Sequence, residues 1–140
     1  MSNRAFTFDH VHIISKNPKV SANWYAEMFG ATVAHREVVE RDGVEEALLK
    51  VSDSYVQLLM PVREDSTVAK WLDGHGEGIH HVGYRVDDVG AVLASFVAHG
   101  GRAIDAAPRP GSRGTTVAFL HPKGAYGTLI ELVQESPGSG

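Results

Sequence analysis

The chain contains one short pattern twice, and this internal repeat is the feature that most constrains its fold. Asp9-His10-Val11-His12-Ile13 lies near the start, and His80-His81-Val82-Gly83-Tyr84 lies past the middle. Two further segments match each other, Tyr55-Val56-Gln57-Leu58-Leu59 and Leu129-Ile130-Glu131-Leu132-Val133. His10 and His81 are 71 residues apart, and Gln57 and Glu131 are 74 residues apart. Such similar offsets indicate that one structural unit is used twice.

Composition narrows the class of protein. A chain of 140 residues with 43% hydrophobic and 21% charged residues is typical of one globular domain. A formal charge of -4 argues against nucleic-acid binding, and the chain lacks the run of roughly 20 apolar residues that crosses a bilayer. The absence of cysteine excludes disulfides and thiolate-bound metals. Because the start leads directly into a strand-like segment, we expect no secretory signal and a cytoplasmic location.

Apolar periodicity gives both halves of the chain the same order of elements. In the first half, an alternating strand from Phe6 to Ser15 precedes a helix that begins at Pro18 and stops at Gly30. Phe6, Phe8, His10, His12 and Ile14 share one face of that strand. Turns at Asp42-Gly43 and Ser52-Asp53 separate three further strand candidates: Thr32 to Val39, Gly43 to Val51, and Ser54 to Met60.

The second half begins with a strand from His80 to Val86 and a helix that Asp87 or Asp88 caps and Gly100-Gly101 ends. Its strand candidates are Arg102 to Asp105, Thr115 to His121, and Thr128 to Gln134, with a loop from Pro108 to Gly114. We therefore predict an α+β fold of two tandem βαβββ modules, at about residues 6–62 and 78–135, in a curved, barrel-like mixed sheet around a metal site. A linker helix lies at about 65–77, and the tail 136–140 is expected to lack order.

The repeated positions carry side chains that bind metals. His10, Gln57, His81 and Glu131 offer two imidazole nitrogens and two oxygens, which suit zinc, cobalt, nickel or manganese. Glu131 lies in an apolar strand, where an unpaired carboxylate is costly, so it needs a partner. His12 shares the face of His10 and is a rival ligand or a group that orients the ligands. His80 points away from His81 and is expected to be structural.

These residues and several longer stretches resemble the vicinal oxygen chelate superfamily, which includes glyoxalase I, extradiol dioxygenases and bleomycin-resistance proteins. Within it, the chain looks most like the methylmalonyl-CoA epimerases. The similarity covers about residues 8 to 134. The stretches that point to the epimerases are Pro108-Arg109-Pro110-Gly111, His121-Pro122-Lys123, and the linker Ser66-Thr67-Val68-Ala69-Lys70-Trp71-Leu72. The chain departs from the family at Tyr126 and at His12, which replaces a small residue.

The resemblance implies an isomerase that interconverts the 2R and 2S forms of methylmalonyl-CoA, by proton removal and return at carbon 2 through an enediolate. It makes His10, Gln57, His81 and Glu131 the ligands of one divalent ion per chain, with cobalt as the leading candidate. Glu46 falls where the family has a catalytic glutamate, and Glu131 is the leading candidate for the second acid/base. Within Glu45-Glu46, strand alternation allows one of the two to face the site. The family also implies an acyl-CoA substrate and a homodimer.

Other functions fit the same scaffold. A glyoxalase-type lyase would act on a glutathione hemithioacetal with a similar metal site, and a drug-sequestering protein would bind its ligand without metal. Arg109, Arg113, Lys123 and Lys70 are candidate contacts for the phosphates of coenzyme A, although scattered basic residues are more often solvated surface. A complete set of four ligand positions favours a metal enzyme over the drug-sequestering protein.

Overall fold

The computed structural model of this chain describes residues 7–136. Phe6 and most of the predicted disordered tail therefore lie outside the described residues. Helices and strands follow one another in this order: β1 (Thr7–Ile14), α1 (Pro18–Phe29), β2 (Thr32–Val39), β3 (Val44–Val51), β4 (Ser54–Pro61), α2 (Thr67–His75), β5 (Gly78–Arg85), α3 (Val89–Ala98), β6 (Arg109–Pro110), β7 (Thr116–Leu120) and β8 (Ile130–Gln134). Short 3₁₀ turns occupy Ser112–Gly114 and Pro122–Gly124. The α+β class and the two βαβββ modules are confirmed.

The described residues form two compact units. One comprises residues 10–80, and the other comprises residue 81 onward together with the start of β1. In the first unit, β1 pairs in parallel with β4, β4 pairs antiparallel with β3, and β3 pairs antiparallel with β2. This mixed sheet has two faces with different contents, because alternate residues of a strand point to opposite sides.

Helix α1 covers one face of the first sheet. Its Ala22 packs in an apolar cluster with side chains of β3 and β4, including Leu49, which is 1% exposed, and Leu58, which is fully buried. The opposite face carries a second apolar cluster of Ile14, Val44 and Leu59, against which α2 packs. The polar residues of interest in this unit lie on that second face.

The ends of α1 follow the rules that the sequence suggested. Asn17 Oδ1 accepts hydrogen bonds from the backbone N–H groups of Lys19 at 3.1 Å and Val20 at 3.3 Å, while Pro18 occupies the first turn. Gly30 ends the helix with φ of 67°, a left-handed conformation that favours glycine. The predicted bounds of this helix are confirmed.

Arg63 stabilises the turn between β2 and β3 through hydrogen bonds. Gly43 in this turn has φ of 67°, and a β-carbon there would lie 3.0 Å from the Arg63 guanidinium group. Arg63 Nη1 donates to the carbonyl oxygen of Glu40 at 2.7 Å, and its Nε lies 3.1 Å from Asp65 Oδ1. The turn is therefore closed by a side chain that needs the space left by glycine.

The second unit has the same pairing pattern. β5 pairs in parallel with β8, β8 pairs antiparallel with β7, and the short β6 pairs with β7. Helix α3 packs on one face of this sheet through Val89, Val92 and Leu93. Asp88 caps α3 by accepting a hydrogen bond from the N–H of Ala91 at 3.1 Å, which selects one of the two predicted caps.

The predicted strand from Arg102 to Asp105 is wrong. This segment makes an isolated bridge from Ala103 to Leu120, and the regular strand at this edge is β6. The reason lies in Asp105, whose Oδ2 accepts the N–H of Phe119 at 2.8 Å. A side chain thus takes the place that a backbone carbonyl would have in a regular ladder.

Among residues 7–136, no helix is both long enough and apolar enough to cross a bilayer.

Candidate metal and catalytic site

In the first unit, strand pairing brings two predicted metal ligands together. The parallel register of β1 and β4 sets His12 opposite Gln57. His10 precedes His12 by two residues and therefore lies on the same face. His10 is buried, with 3% of its surface exposed. The first unit therefore offers an imidazole and an amide on adjacent strands.

The second unit repeats this arrangement with a carboxylate. Gly83 on β5 is opposite Glu131 on β8, as His12 is opposite Gln57. Two residues before Gly83, His81 is 4% exposed, and its Nε2 lies 3.1 Å from Glu131 Oε1. The repeat in the sequence thus corresponds to one strand register used in both units. Glu131 has the partner that its apolar strand requires.

Phe119 fixes the orientation of His81. It lies on β7 opposite Glu131, and its ring meets the His81 ring edge-on with centroids 5.1 Å apart. The Arg109 guanidinium carbon lies 5.5 Å from the centroid of the Phe119 ring, and Arg109 Nε is 3.0 Å from Asp105 Oδ1. Sequence reasoning gave Phe119 no role, and its position became evident only from the pairing of β7 with β8.

Glu46 lies beside Gln57 on the site face of the first unit. Gln57 Nε2 donates to Glu46 Oε2 at 2.9 Å. This contact turns the amide nitrogen towards the carboxyl group, so the amide oxygen is directed elsewhere and remains suitable for a cation. Glu45 is on the opposite face of β3, as alternation predicted.

The surroundings of Glu46 raise the pKa of its carboxyl group. The largest cause is burial, since 8% of the residue is exposed, and the adjacent Glu37 carboxyl adds to the effect. The hydrogen bond from Gln57 acts in the opposite direction. Glu46 is therefore a stronger base than an ordinary surface carboxylate, as a group that takes a proton from carbon must be.

A cavity of about 450 Å³ opens beside Glu46 within the first unit. Small-molecule sites are commonly of this size. Its lining combines apolar and charged side chains, among them His12, Leu59, Arg41 and Arg63. His12 therefore shares the cavity with Glu46, and its ring centroid lies 6.3 Å from that of His10.

His80 contacts helix α2, and its structural role stays a prediction. Its ring meets Trp71 of α2 edge-on with centroids 5.3 Å apart and lies 5.7 Å from His12. The candidate phosphate contacts show no common pattern. Arg109 binds Asp105, and all four residues are exposed: Lys70, Arg109, Arg113 and Lys123.

Comparison with known proteins assigns the chain to a family. Residues 9–119 match the model of the Glyoxalase/Bleomycin resistance protein/Dioxygenase superfamily. This chain belongs to that superfamily. Methylmalonyl-CoA epimerase from Dictyostelium discoideum, named as mitochondrial, is 32% identical, with 91% of this chain and 77% of that protein covered. Ethylmalonyl-CoA/methylmalonyl-CoA epimerase from Cereibacter sphaeroides is also 32% identical, with 90% of this chain and 96% of that protein covered.

A solved structure agrees with these relatives. Methylmalonyl-CoA epimerase from Streptomyces coelicolor, in a complex with 2-nitronate-propionyl-CoA, superposes with a TM-score of 0.82 at 42% identity. The match covers 92% of this chain and 96% of that one. The resemblance to the vicinal oxygen chelate superfamily and its methylmalonyl-CoA epimerases is thereby confirmed.

The donor chemistry in each unit of this superfamily member fits a divalent metal ion. The pair His10 and Gln57 and the pair His81 and Glu131 each combine one imidazole nitrogen with one oxygen. Both imidazoles are buried, as the ligands of a bound ion usually are. Nitrogen and oxygen donors without thiolate favour ions of intermediate hardness.

The two units differ in what lies beside these pairs. On β3, Leu48 is opposite Gln57, and Glu46 is two residues away on the same face. On β7, Phe119 is opposite Glu131, so Val117 occupies the position that matches Glu46. Val117 is 3% exposed and cannot exchange a proton. The two units therefore share one strand topology, while the carboxyl group at the Glu46 position is present in the first unit and replaced by valine in the second.

Proposed function

We propose that this protein is an epimerase that interconverts the 2R and 2S forms of methylmalonyl-CoA. The main support for this proposal is the position of Glu46. It is a buried carboxyl group with a raised pKa that lines a cavity of about 450 Å³ beside a proposed metal ligand. The predicted isomerase class is confirmed by relatives that are themselves methylmalonyl-CoA epimerases. A relative named for both ethylmalonyl-CoA and methylmalonyl-CoA makes the larger 2-alkyl substrate a second candidate.

We further propose that His10, Gln57, His81 and Glu131 bind one divalent ion per chain, with cobalt as the leading candidate. Support comes from the matched strand register of the two pairs and from the orientation of the Gln57 amide. When bound, such an ion supplies Lewis-acid stabilisation of negative charge on substrate oxygens.

Glu46 acts as the base in this proposal. Its carboxylate removes the proton from carbon 2, which is acidic because a thioester carbonyl and a carboxylate flank it. The charge left behind spreads over those oxygens as an enediolate. A carboxyl group held in place by Gln57 needs little movement to reach the proton, which lowers the entropic part of the barrier.

Return of a proton to the opposite face needs a second acid, and we propose Glu131 for this role. Its Oε1 lies 3.1 Å from His81 Nε2, so its carboxyl group is fixed in place. The Glu131 side chain is 14% exposed. Arg109, Arg113, Lys123 and Lys70 remain the candidate contacts for coenzyme A. The assignment of all 140 residues to a single domain, the homodimer and the cytoplasmic location are likewise proposals.

The test is proton exchange. Metal-loaded protein in deuterated water is expected to replace the carbon 2 proton of methylmalonyl-CoA and to form the second epimer, and protein treated with a chelator should do neither. Ethylmalonyl-CoA belongs in the same assay. Conversion of the hemithioacetal of methylglyoxal and glutathione, with no exchange of either thioester, would replace the epimerase by a glyoxalase-type lyase.

A further inference from the structure

A cross-strand pair joins Glu46 to a second carboxyl group that the proposed reaction does not yet use. The antiparallel register of β2 and β3 sets Glu37 directly opposite Glu46. Side chains at such positions share a face and are within contact distance. A carboxyl oxygen of Glu37 lies within 4.8 Å of a carboxyl oxygen of Glu46.

His35 is a third polar group next to this pair. It precedes Glu37 by two residues on β2, so it projects from the same face, and its Nε2 lies 3.0 Å from Glu37 Oε1. Each of the three side chains has a donor or acceptor atom within 4.8 Å of the other two. Glu46 is 8% exposed as a residue, whereas the side chains of Glu37 and His35 are 40% and 39% exposed, so the series leads from a buried group to two groups in contact with solvent.

Each group in the series can take up and release a proton. The hydrogen bond between His35 and Glu37 lowers the pKa of Glu37 more than any other influence on it, so Glu37 is held ionised. The Glu37 carboxylate can accept a proton from the neighbouring Glu46 carboxyl group. A ring nitrogen of His35 on the far side can take up this proton and pass it to water.

Epimerisation makes such transfer necessary. Each turnover leaves the base with the proton it removed and the opposite acid without the proton it gave. The base has to lose its proton before the next cycle, and a buried carboxyl group has little direct contact with water. A path through polar side chains removes this obstacle.

We infer that Glu37 and His35 form a proton relay that connects Glu46 with solvent. This relay rests on the proposed epimerase function. In it, the proton on Glu46 passes to the ionised carboxylate of Glu37 and then from Glu37 to an unprotonated ring nitrogen of His35, and the resulting imidazolium releases a proton to water. Glu46 and Glu37 end as carboxylates and His35 as a neutral imidazole, and water is the only other reactant. Glu37 and His35 act through Glu46 and do not touch the substrate.

The relay can be tested by the deuterium incorporated at carbon 2, measured relative to inversion and therefore independent of the overall rate. Each epimer of methylmalonyl-CoA is incubated separately with metal-loaded protein in deuterated water, and the reaction is stopped early. Deuterium at carbon 2 of the recovered starting epimer is divided by the amount of the other epimer formed. This ratio measures how often the base exchanges its proton before the substrate is released.

For the epimer whose proton Glu46 removes, wild-type protein should give a substantial ratio. Glu37→Gln should lower that ratio by at least about tenfold, since the amide accepts no proton in the relay. His35→Gln should lower it in the same direction, and Glu37→Asp should retain more of it. The ratio for the other epimer should not change.

Glu45→Gln is the matched control, because Glu45 is the neighbour of Glu46 on the opposite face of β3. It should leave both ratios unchanged, and circular dichroism should show that each variant is folded. Unchanged ratios in folded Glu37→Gln protein, or an unlabelled starting epimer with the wild type, would overturn the relay while leaving the epimerase intact. A wild-type protein that neither exchanges nor inverts the substrate would overturn both.

Discussion

Glu45 and Glu46 are chemically identical neighbours, and the strand gives them different environments. Glu46 accepts a hydrogen bond from Gln57 and lines the cavity, whereas Glu45 projects from the other face. From the sequence, alternation showed that one of the pair could serve but did not show which. The β3–β4 pairing decides it, because that pairing sets Glu46 on the face of the proposed ligands.

Replacement of Glu46 separates acid/base chemistry from metal binding. Glu46→Gln should keep the fold and the bound metal, and its turnover number should fall by about two to four orders of magnitude. The amide is nearly isosteric but accepts no proton from carbon, so KM should change little. Initial rates with methylmalonyl-CoA and metal analysis of the purified variant provide the measurement. Near-normal turnover would direct attention to Glu45 or His12.

Glu37 should make stability depend on pH in acid. The hydrogen bond from His35 lowers the pKa of Glu37 below its ordinary value of 4.5, so the folded protein favours the ionised form. The resulting stabilisation is complete above that ordinary value and is lost as pH falls through the lowered pKa. In urea denaturation, Glu37→Gln should therefore reduce the free energy of unfolding at pH 6, with a smaller reduction at pH 3. An equal reduction at both pH values would contradict the pairing.

At the scale of elements, the residues that cap helices and form turns were the most informative part of the sequence. Asn17, Pro18 and Gly30 fix both ends of α1, and the Asp42-Gly43 turn fixes the β2–β3 hairpin. Counting outward from Asp42-Gly43 as a two-residue turn would have placed Glu37 opposite Leu48. The turn spans residues 40–43, and this length sets Glu37 opposite Glu46. The short β6 could not be predicted, because the Asp105 side chain competes with backbone pairing at that edge.

Loss of the α1 cap should reduce stability without reducing catalysis. Asn17→Ala removes the acceptor for two backbone N–H groups and should lower the free energy of unfolding by about 1 kcal/mol. Asn17→Asp keeps an acceptor and serves as the control. Because α1 packs on the face opposite Glu46, turnover of folded protein should be unchanged. A selective loss of turnover in Asn17→Ala would show that this helix affects the site.

For the whole molecule, the repeat predicted more than any single residue. The similar offsets of 71 and 74 residues identified His10, Gln57, His81 and Glu131 together, and the matched registers of the two units give a physical reason for these offsets. Residues that act through contacts across strands, such as Phe119 and Glu37, carried no comparable signal. Their importance depends on which strand lies beside which, and neither periodicity nor composition contains that information.

Metal binding should require both units. The protein is expected to bind about one divalent ion per chain, and His10→Ala and His81→Ala should each abolish tight binding while leaving a folded protein. His99→Ala is the control, since His99 is an exposed residue at the end of α3. Metal analysis after gel filtration measures the stoichiometry. Unchanged stoichiometry in both site variants would contradict the four-ligand proposal.

The Arg63 contact with the β2–β3 turn also determines which glutamate can act as the base. A slip of one residue in the hairpin would turn every side chain of β3 to the other face. Glu45 would then point towards the cavity, displaced by about 3.3 Å along the strand, so a carboxyl group would still be present in the wrong place. By bonding Glu40 and occupying the space above Gly43, Arg63 keeps the count of turn residues fixed. Arg63, which takes no part in the proposed proton transfer, thus keeps Glu46 and not Glu45 beside the cavity.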